Sequence, residues 1–194
     1  MQVGVIGLGN LGTAVGNLLA GNGHDVLGWE YNEAAVTEVN ERRTNERYLP
    51  GVPLEPRLRA TGDLAAAFDY GRVVFVTIPS AFIESTLGPL RGKVNPRSII
   101  VNTAKGIDAQ TGLTSFQMLR GLLADNRHVM LSGPSVANEF ARRLPTTVVV
   151  AGPDMSDLLL VSRLLDNDYF RTRFSDDWVG VELGGILKNI YAIG

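Results

Sequence analysis

The chain has 194 residues, of which 45% are hydrophobic and 20% are charged, a composition that suits a globular protein with a large core. Its formal net charge is −2 and it has no block of basic residues, so the charge pattern does not indicate nucleic acid or an anionic membrane as a partner. The absence of cysteine excludes disulfides, thiolate metal ligands, iron–sulfur clusters and a cysteine nucleophile.

The first two predicted elements enclose a glycine-rich turn. Residues 2–6 predict a strand, residues 10–21 predict a helix, and the sequence between them and into the helix reads Gly7-Leu8-Gly9-Asn10-Leu11-Gly12. In a G-x-G-x-x-G motif the first glycine permits a tight turn, the second lets the backbone approach a pyrophosphate, and the third lets helix and strand pack closely. The pyrophosphate lies at the helix N-terminus, where N–H groups and the helix dipole favour negative charge. The motif predicts a dinucleotide site, and a glycine turn without a ligand is the alternative.

The second predicted strand, residues 25–29, supports the dinucleotide interpretation because an acidic residue follows it. Glu30 lies close to the spacing of about 20 residues at which the motif places the carboxylate that binds the adenosine ribose. A glutamate there would repel the 2′-phosphate of NADP. We therefore expect NAD as the cofactor, with NADP as the alternative.

The rest of the chain alternates between helices and strands. Helices are predicted at residues 33–43, 64–68, 81–90, 114–123, 135–143, 156–165 and 178–194. Strands are predicted at residues 72–78, 98–102, 128–131, 146–151 and 170–174, and a proline-broken loop at residues 45–56. This alternation predicts an α/β fold, a Rossmann-type doubly wound and mostly parallel sheet with helices on both faces.

The end of the chain predicts a domain boundary. Residues 1–175 are expected to form the dinucleotide-binding domain, and residues 176–194 to begin a helix that links it to an absent C-terminal domain, because that helix ends on apolar residues. Gly184-Gly185 lies inside the helix, where glycine costs about 1 kcal/mol, so we expect close packing against the backbone there. With a strand from residue 2 and no apolar run near about 20 residues, we expect no secretory signal, no integral membrane span and a cytoplasmic location.

Two lysines are candidate catalytic residues. Lys105 follows the strand at residues 98–102, at the edge of the sheet where ligands bind, and Lys188 lies on the glycine-containing helix. On position alone, each is more often a solvated surface group. His24 and His128 are interpreted as structural residues, and no acidic or histidine cluster has metal-ligand spacing, so we expect no metal.

A polar turn, Ser132-Gly133-Pro134-Ser135, follows another predicted strand. The amides of the helix that it opens could hold an anionic or hydroxylated substrate. Alternatively, Ser135 serves only as the N-cap of that helix.

The chain resembles the N-terminal part of the NAD(P)-dependent sn-glycerol-3-phosphate dehydrogenases along nearly its whole length. Besides the glycine turn, the resemblance rests on blocks that related dehydrogenases do not share: Asn45-Glu46-Arg47-Tyr48-Leu49-Pro50-Gly51, Ile78-Pro79-Ser80, Ala104-Lys105-Gly106-Ile107, Leu131-Ser132-Gly133-Pro134-Ser135, Leu144-Pro145-Thr146 and Val181-Glu182-Leu183-Gly184-Gly185-Ile186-Leu187-Lys188-Asn189.

The resemblance implies the role of each site residue. Lys188 is the general acid and base, and Lys105 is its catalytic partner. The phosphate substrate is bound by Lys105, Gly133, Ser135 and Asn189. The cofactor is contacted by Gly7, Leu8, Gly9, Asn10, Leu11, Gly12, Glu30, Tyr31, Phe82, Lys105 and Ala137. Burial in an apolar groove and the charge of Lys105 are expected to lower the pKa of Lys188, which is near 10.4 in a free lysine.

The resemblance also implies the reaction and its setting. A hydride passes between nicotinamide and glycerol 3-phosphate or dihydroxyacetone phosphate, feeding glycerophospholipid synthesis, and the complete enzyme is a homodimer. A helical C-terminal domain, which supplies an arginine and an aspartate to the site in this family, is absent from the chain. Asn10-Leu11 and Glu30-Tyr31 stand where bacterial members usually carry Ser-Trp and Gly-Arg, and the second departure favours NAD.

Three alternatives remain open at this point. The chain could belong to another dehydrogenase of the 6-phosphogluconate and 3-hydroxyacid superfamily, although the blocks around Lys105 and Lys188 argue against it. It could be a non-catalytic dinucleotide-binding module. A purely structural scaffold is a third interpretation, which the glycine turn disfavours.

Overall fold

One eight-stranded sheet, in the order β3-β2-β1-β4-β5-β6-β7-β8, organises the chain. The computed structural model describes residues 1–191, with side chains as far as Lys188. The strands are β1 (Gln2–Ile6), β2 (Asp25–Trp29), β3 (Leu58–Thr61), β4 (Val73–Val76), β5 (Ile99–Asn102), β6 (Arg127–Ser132), β7 (Thr146–Ala151) and β8 (Phe170–Ser175). The helices are α1 (Asn10–Gly21), α2 (Glu33–Thr37), α3 (Leu64–Asp69), α4 (Ile83–Leu87), α5 (Ser115–Leu122), α6 (Ala137–Phe140), α7 (Met155–Leu165) and α8 (Trp178–Tyr191).

The predicted Rossmann-type architecture is confirmed. Neighbouring strands are parallel except for β6 and β7, which pair antiparallel with Met130 opposite Ala151. From β1 the chain proceeds to β2 and β3 on one side and then crosses to β4 on the other. This reversal leaves a crevice at the carboxyl ends of β1 and β4, which is where ligands bind in such sheets.

The central strands are buried on both faces, which explains their continuous apolar sequences. Val3 and Phe75 face the core formed with α1, whereas Ile6, Val74 and Val76 face a second core that includes residues of α3, α4 and α5. Because side chains alternate along a strand, each strand supplies both cores.

Several predicted elements are shorter in the structure, and one strand was missed. The predicted helix at residues 33–43 is α-helical only to Thr37 and continues as a π-helical segment, Glu38–Arg42. Single turns of 3₁₀-helix, Ser80–Phe82 and Gly88–Leu90, flank α4 within the predicted helix at residues 81–90. Strand β3 was not predicted, because its four residues follow a proline-rich loop and give little periodicity.

The predicted helix at residues 135–143 shrinks to α6, Ala137–Phe140. Its N-cap is Val136, so the interpretation of Ser135 as an N-cap is wrong. The N–H of Ser135 instead donates to the carbonyl of Gly133 at 2.9 Å in a tight turn after β6.

Within residues 1–191, no helix combines the length and the apolar character needed to cross a bilayer.

Candidate active site

The glycine turn joins β1 to α1 and is held against the end of β2. Gly7 has a φ of +100°, a conformation that favours glycine, and the N–H groups of Gly7 and Leu8 both donate to the carbonyl of Trp29, at 3.0 and 3.2 Å. A Cβ atom on Gly12 would collide with the carbonyl oxygen of Gly7. The first and third glycines therefore do what the motif predicts.

The second glycine leaves the helix N-terminus open. Gly9 is the N-cap of α1 and has no side chain to accept a hydrogen bond from the first turn. Apart from its two neighbours in the chain, no described residue has an atom within 4 Å of the position that a Cβ on Gly9 would occupy. The first-turn amides of an α-helix have no partner within the helix, so this open end suits a pyrophosphate.

Three buried or half-buried polar side chains brace the turn. Thr77 donates from Oγ1 to the carbonyl of Gly7 at 2.7 Å, and Thr13 donates from Oγ1 to the carbonyl of Leu8 at 2.8 Å. Asn45, which is fully buried, donates from Nδ2 to that Leu8 carbonyl and to Thr13 Oγ1, both at 2.9 Å. Sequence analysis assigned Asn45 no role beyond its place in the family block, because no local pattern shows that a polar side chain in a loop is buried.

Glu30 follows β2 at the same edge of the sheet. Only 3% of the residue is exposed, and Oε1 accepts a hydrogen bond from the N–H of Asn32 at 3.1 Å. Burial raises the pKa of the Glu30 carboxyl above its ordinary value, and the Asn32 N–H and the charge of Arg47 oppose that rise. Tyr31 is exposed beside it.

Lys105 and the helix bearing Lys188 meet at the carboxyl edge. A Cβ atom on Gly185 would lie 3.7 Å from Cδ and Cε of Lys105 and would collide with Oγ of Ser132. Helix α8 can pack this closely only because Gly185 has no side chain. The expectation of close packing at the glycine pair is confirmed for Gly185, whereas no atom from outside the surrounding backbone of α8 lies within 4 Å of the Cβ position of Gly184 among the described residues.

The two lysines differ in burial. Burial, and after it the charge of Lys188, lowers the pKa of the Lys105 ammonium group below its ordinary value. Lys188 is exposed on α8, so the burial expected around it is wrong for this chain. The two ammonium groups are nevertheless close enough to repel each other.

Other predicted site residues surround Lys105. Leu11, Lys105 and Ser135 line one small cavity between the glycine turn and α6. Gly133 has a φ of +145°, and a Cβ atom there would lie 3.1 Å from Cα of Val148. The structure thus brings the glycine turn, Lys105 and the turn after β6 to one place.

The remaining residues that were predicted to contact the cofactor or the substrate are spread around the crevice. Asn10 donates from Nδ2 to Oδ1 of Asn138 at 3.2 Å, which joins α1 to α6. Phe82 is 58% exposed after Pro79, and Ala137 is buried at the start of α6. Leu8 is fully buried, so its side chain packs beneath the glycine turn in the protein interior. The side chain of Asn189 lies outside the part that the structure describes.

The crevice at the strand reversal, with an open helix N-terminus and an acid at the end of β2, defines a dinucleotide-binding domain of the Rossmann class. More particularly, the chain belongs to the family described as NAD-dependent glycerol-3-phosphate dehydrogenase N-terminus, whose profile matches residues 2–158.

Curated relatives and a solved structure agree with this family. Glycerol-3-phosphate dehydrogenase (NAD(P)+) of Carboxydothermus hydrogenoformans is 40% identical and covers 100% of this chain and 58% of its own length. The enzyme of that name from Staphylococcus carnosus is 37% identical, covering 99% of this chain and 59% of itself. A crystal structure of glycerol-3-phosphate dehydrogenase from Coxiella burnetii superposes with a TM-score of 0.91 at 30% identity, over 99% of this chain and 59% of that one. The chain thus spans about three fifths of the relatives that it matches.

Proposed function

We propose that the chain is the cofactor-binding part of a dehydrogenase that interconverts sn-glycerol 3-phosphate and dihydroxyacetone phosphate with NAD or NADP. The observation that carries the proposal is the half-buried side chain of Lys105, whose Cδ and Cε lie beside Gly185 of the helix that bears Lys188, at the mouth of the dinucleotide crevice. The names of the relatives support the same reaction.

The site residues divide by role. The open amides after Gly9 hold the pyrophosphate, Glu30 accepts hydrogen bonds from the adenosine ribose, and Tyr31 lies on the adenine. The other cofactor contacts are Gly7, Leu8, Asn10, Leu11, Gly12, Phe82, Lys105 and Ala137. The substrate is bound by Lys105, Gly133, Ser135 and Asn189. Residues 1–175 form the cofactor domain, and residues 176–194 begin the link to a substrate domain.

The chemistry needs one proton in each direction. Bound NADH supplies a hydride to C2 of the ketone. Lys188, as the ammonium ion, donates a proton to the C2 oxygen, so that the alcohol forms; in oxidation its neutral amine takes that proton back. The charge of Lys105 stabilises the substrate oxygen and phosphate.

We also propose the setting of the reaction. The complete enzyme acts as a cytoplasmic homodimer, and its product feeds glycerophospholipid synthesis. Light scattering of the complete gene product tests the dimer, and cell fractionation tests the location. Labelled glycerol 3-phosphate entering the lipid fraction only in cells that carry the gene would support the metabolic role.

The activity is tested with the complete gene product. NADH and dihydroxyacetone phosphate are mixed with the protein, NADH consumption is followed by absorbance, and glycerol 3-phosphate is identified by phosphorus NMR. Binding of NADH without consumption would favour a dinucleotide-binding module instead. Reduction of a 3-oxoacid but not of dihydroxyacetone phosphate would favour another dehydrogenase of the superfamily.

A further inference from the structure

A buried carboxylate on α8 is bonded to the start of α5. Glu182 is 2% exposed, and its Oε1 accepts hydrogen bonds from the N–H of Phe116 at 2.8 Å and from Oγ of Ser115 at 3.1 Å. Its Oε2 accepts from Oγ1 of Thr114, the N-cap of α5, at 2.7 Å. The negative charge also lies at the positive end of the helix dipole of α5.

The same cluster continues to the segment that carries Lys105. Oγ of Ser115, whose single proton is shared between Oε1 of Glu182 and the carbonyl oxygen of Ala104 at 2.8 Å, accepts a hydrogen bond from Nδ2 of Asn102 at 3.0 Å. Oδ1 of Asn102 accepts from the N–H of Ala104 at 3.0 Å. A chain of buried hydrogen bonds therefore runs from α8 through Ser115 to the peptide immediately before Lys105.

We propose that Glu182 is a positioning residue that fixes α8, and with it Lys188, relative to Lys105. The inference rests on the proposed function for the roles of the two lysines, whereas the hydrogen-bonded link is independent of those roles. Glu182 precedes Lys188 by six residues, which is about 9 Å along a helix. A carboxylate anchored at that distance sets both the rotation and the height of the turn that presents the Lys188 side chain.

Loss of the Glu182 carboxylate is expected to lower the reaction rate and to leave the fold intact. A displacement of about 1 Å in a reacting group can lower a rate about 100-fold. Removing the carboxylate leaves the N–H of Phe116 and the hydroxyl of Thr114 without their acceptor, whereas Ser115 keeps the Ala104 carbonyl, so α8 would shift or tilt to readmit water. The glycine turn is braced by Thr13, Asn45 and Thr77 rather than by Glu182, and it should bind cofactor as before.

The test compares Glu182→Ala and Glu182→Gln with Asp157→Asn in the complete gene product. Asp157 is a matched control because it is also buried, at 4% exposed, and accepts a hydrogen bond from Arg127 at the opposite edge of the sheet. We expect kcat to fall about 10- to 100-fold in Glu182→Ala, with unchanged NADH stoichiometry and affinity. Glu182→Gln, which keeps one acceptor oxygen for the Phe116 N–H, should recover part of kcat, and Asp157→Asn should retain it.

The NADH stoichiometry gives the number of folded molecules. If Glu182 had only a structural role, replacing it would lower the amount of active protein and leave kcat per NADH-binding site unchanged. A kcat per site in Glu182→Ala within twofold of the wild type would overturn the inference. Hydrogen exchange supplies a readout without turnover: residues 104–106 and the α8 amides should exchange faster in Glu182→Ala than in Asp157→Asn. If the wild-type protein does not reduce dihydroxyacetone phosphate, the proposed function fails, and equal exchange in the two variants would then overturn the positioning role.

Discussion

At the scale of single residues, the first prediction separates proton transfer by Lys188 from substrate binding by Lys105. Lys188→Met keeps the aliphatic stem but removes the proton donor, so cofactor binding should survive. General acid–base help is typically worth about 10²- to 10⁴-fold, and we expect kcat with dihydroxyacetone phosphate to fall by about that factor. Lys105→Met should instead raise KM more than it lowers kcat, because that half-buried charge holds the substrate.

Steady-state kinetics of both variants, beside NADH titrations, checks the prediction. Retention of more than about a tenth of kcat in Lys188→Met would exclude it as the general acid and base and would make Lys105 the better candidate.

We expect Glu30 to govern the choice between NAD and NADP. Its buried carboxylate should repel a 2′-phosphate, so NADH should bind more tightly than NADPH, by about tenfold, which corresponds to ~1.4 kcal/mol. Because burial raises the pKa of Glu30, the carboxyl takes up its proton at a higher pH than an ordinary glutamate, and the preference should weaken as the pH is lowered. Fluorescence titrations with both reduced cofactors at two pH values measure this. Glu30→Gln should narrow the ratio at the higher pH, and tighter NADPH binding by the wild type would show that the interpretation is wrong.

Sequence analysis predicted the residues that belong to a motif of fixed spacing, and it missed the polar residues whose role depends on burial in the folded chain. The positions of Gly7, Gly9 and Gly12 follow from a motif, and Gly185 could be flagged because glycine is costly in a helix. Asn45 and Glu182 have no such local signal. Each is polar in a polar neighbourhood, and only contacts with residues far away in the chain make it a buried brace.

At the scale of elements, strands in the centre of the sheet were predictable and one edge strand was not. Strands β1, β4 and β5 are buried on both faces, so their sequences are mostly apolar on both faces. β3 contributes four residues at the sheet edge and is specified mainly by its pairing with β2, which no local pattern shows. The brevity of α6 likewise follows from a tight turn at Gly133 before it and from Arg143, at a φ of 64°, after it.

The contact between α8 and the Lys105 segment gives a prediction for adjacent glycines of one helix. Gly185→Ala would drive a methyl group into Ser132 Oγ, and overpacking of this kind costs about 1–3 kcal/mol. Gly184→Ala meets no atom within 4 Å beyond the surrounding backbone of α8 in the described residues, and it should gain up to about 1 kcal/mol from helix propensity. Urea unfolding of both variants of the 194-residue chain measures the difference. Equal free energies of unfolding would mean that α8 does not pack against β6 in solution.

At the scale of the whole molecule, the chain spans about three fifths of the length of the relatives that it matches. We expect it to carry the dinucleotide crevice and only part of the substrate site, because the family resemblance implies that a further domain supplies an arginine and an aspartate. Side chains on α8 are also exposed although apolar: Val179 is 45%, Leu183 38% and Leu187 40% exposed. An apolar helix face of this kind favours association with another surface.

We therefore expect the isolated 194-residue chain to bind NADH, to give no measurable reduction of dihydroxyacetone phosphate, and to self-associate through α8. Fluorescence titration, an absorbance assay and light scattering over a range of protein concentrations measure the three properties. Leu183→Glu serves as the control for association, because it places a charge on the exposed face of α8 without changing Lys105 or Lys188. This variant should shift the chain towards the monomer and leave the NADH affinity unchanged. Robust turnover by the 194-residue chain would show that residues 1–194 hold the whole substrate site. A monomer at all protein concentrations would show that the exposed apolar face of α8 does not drive association.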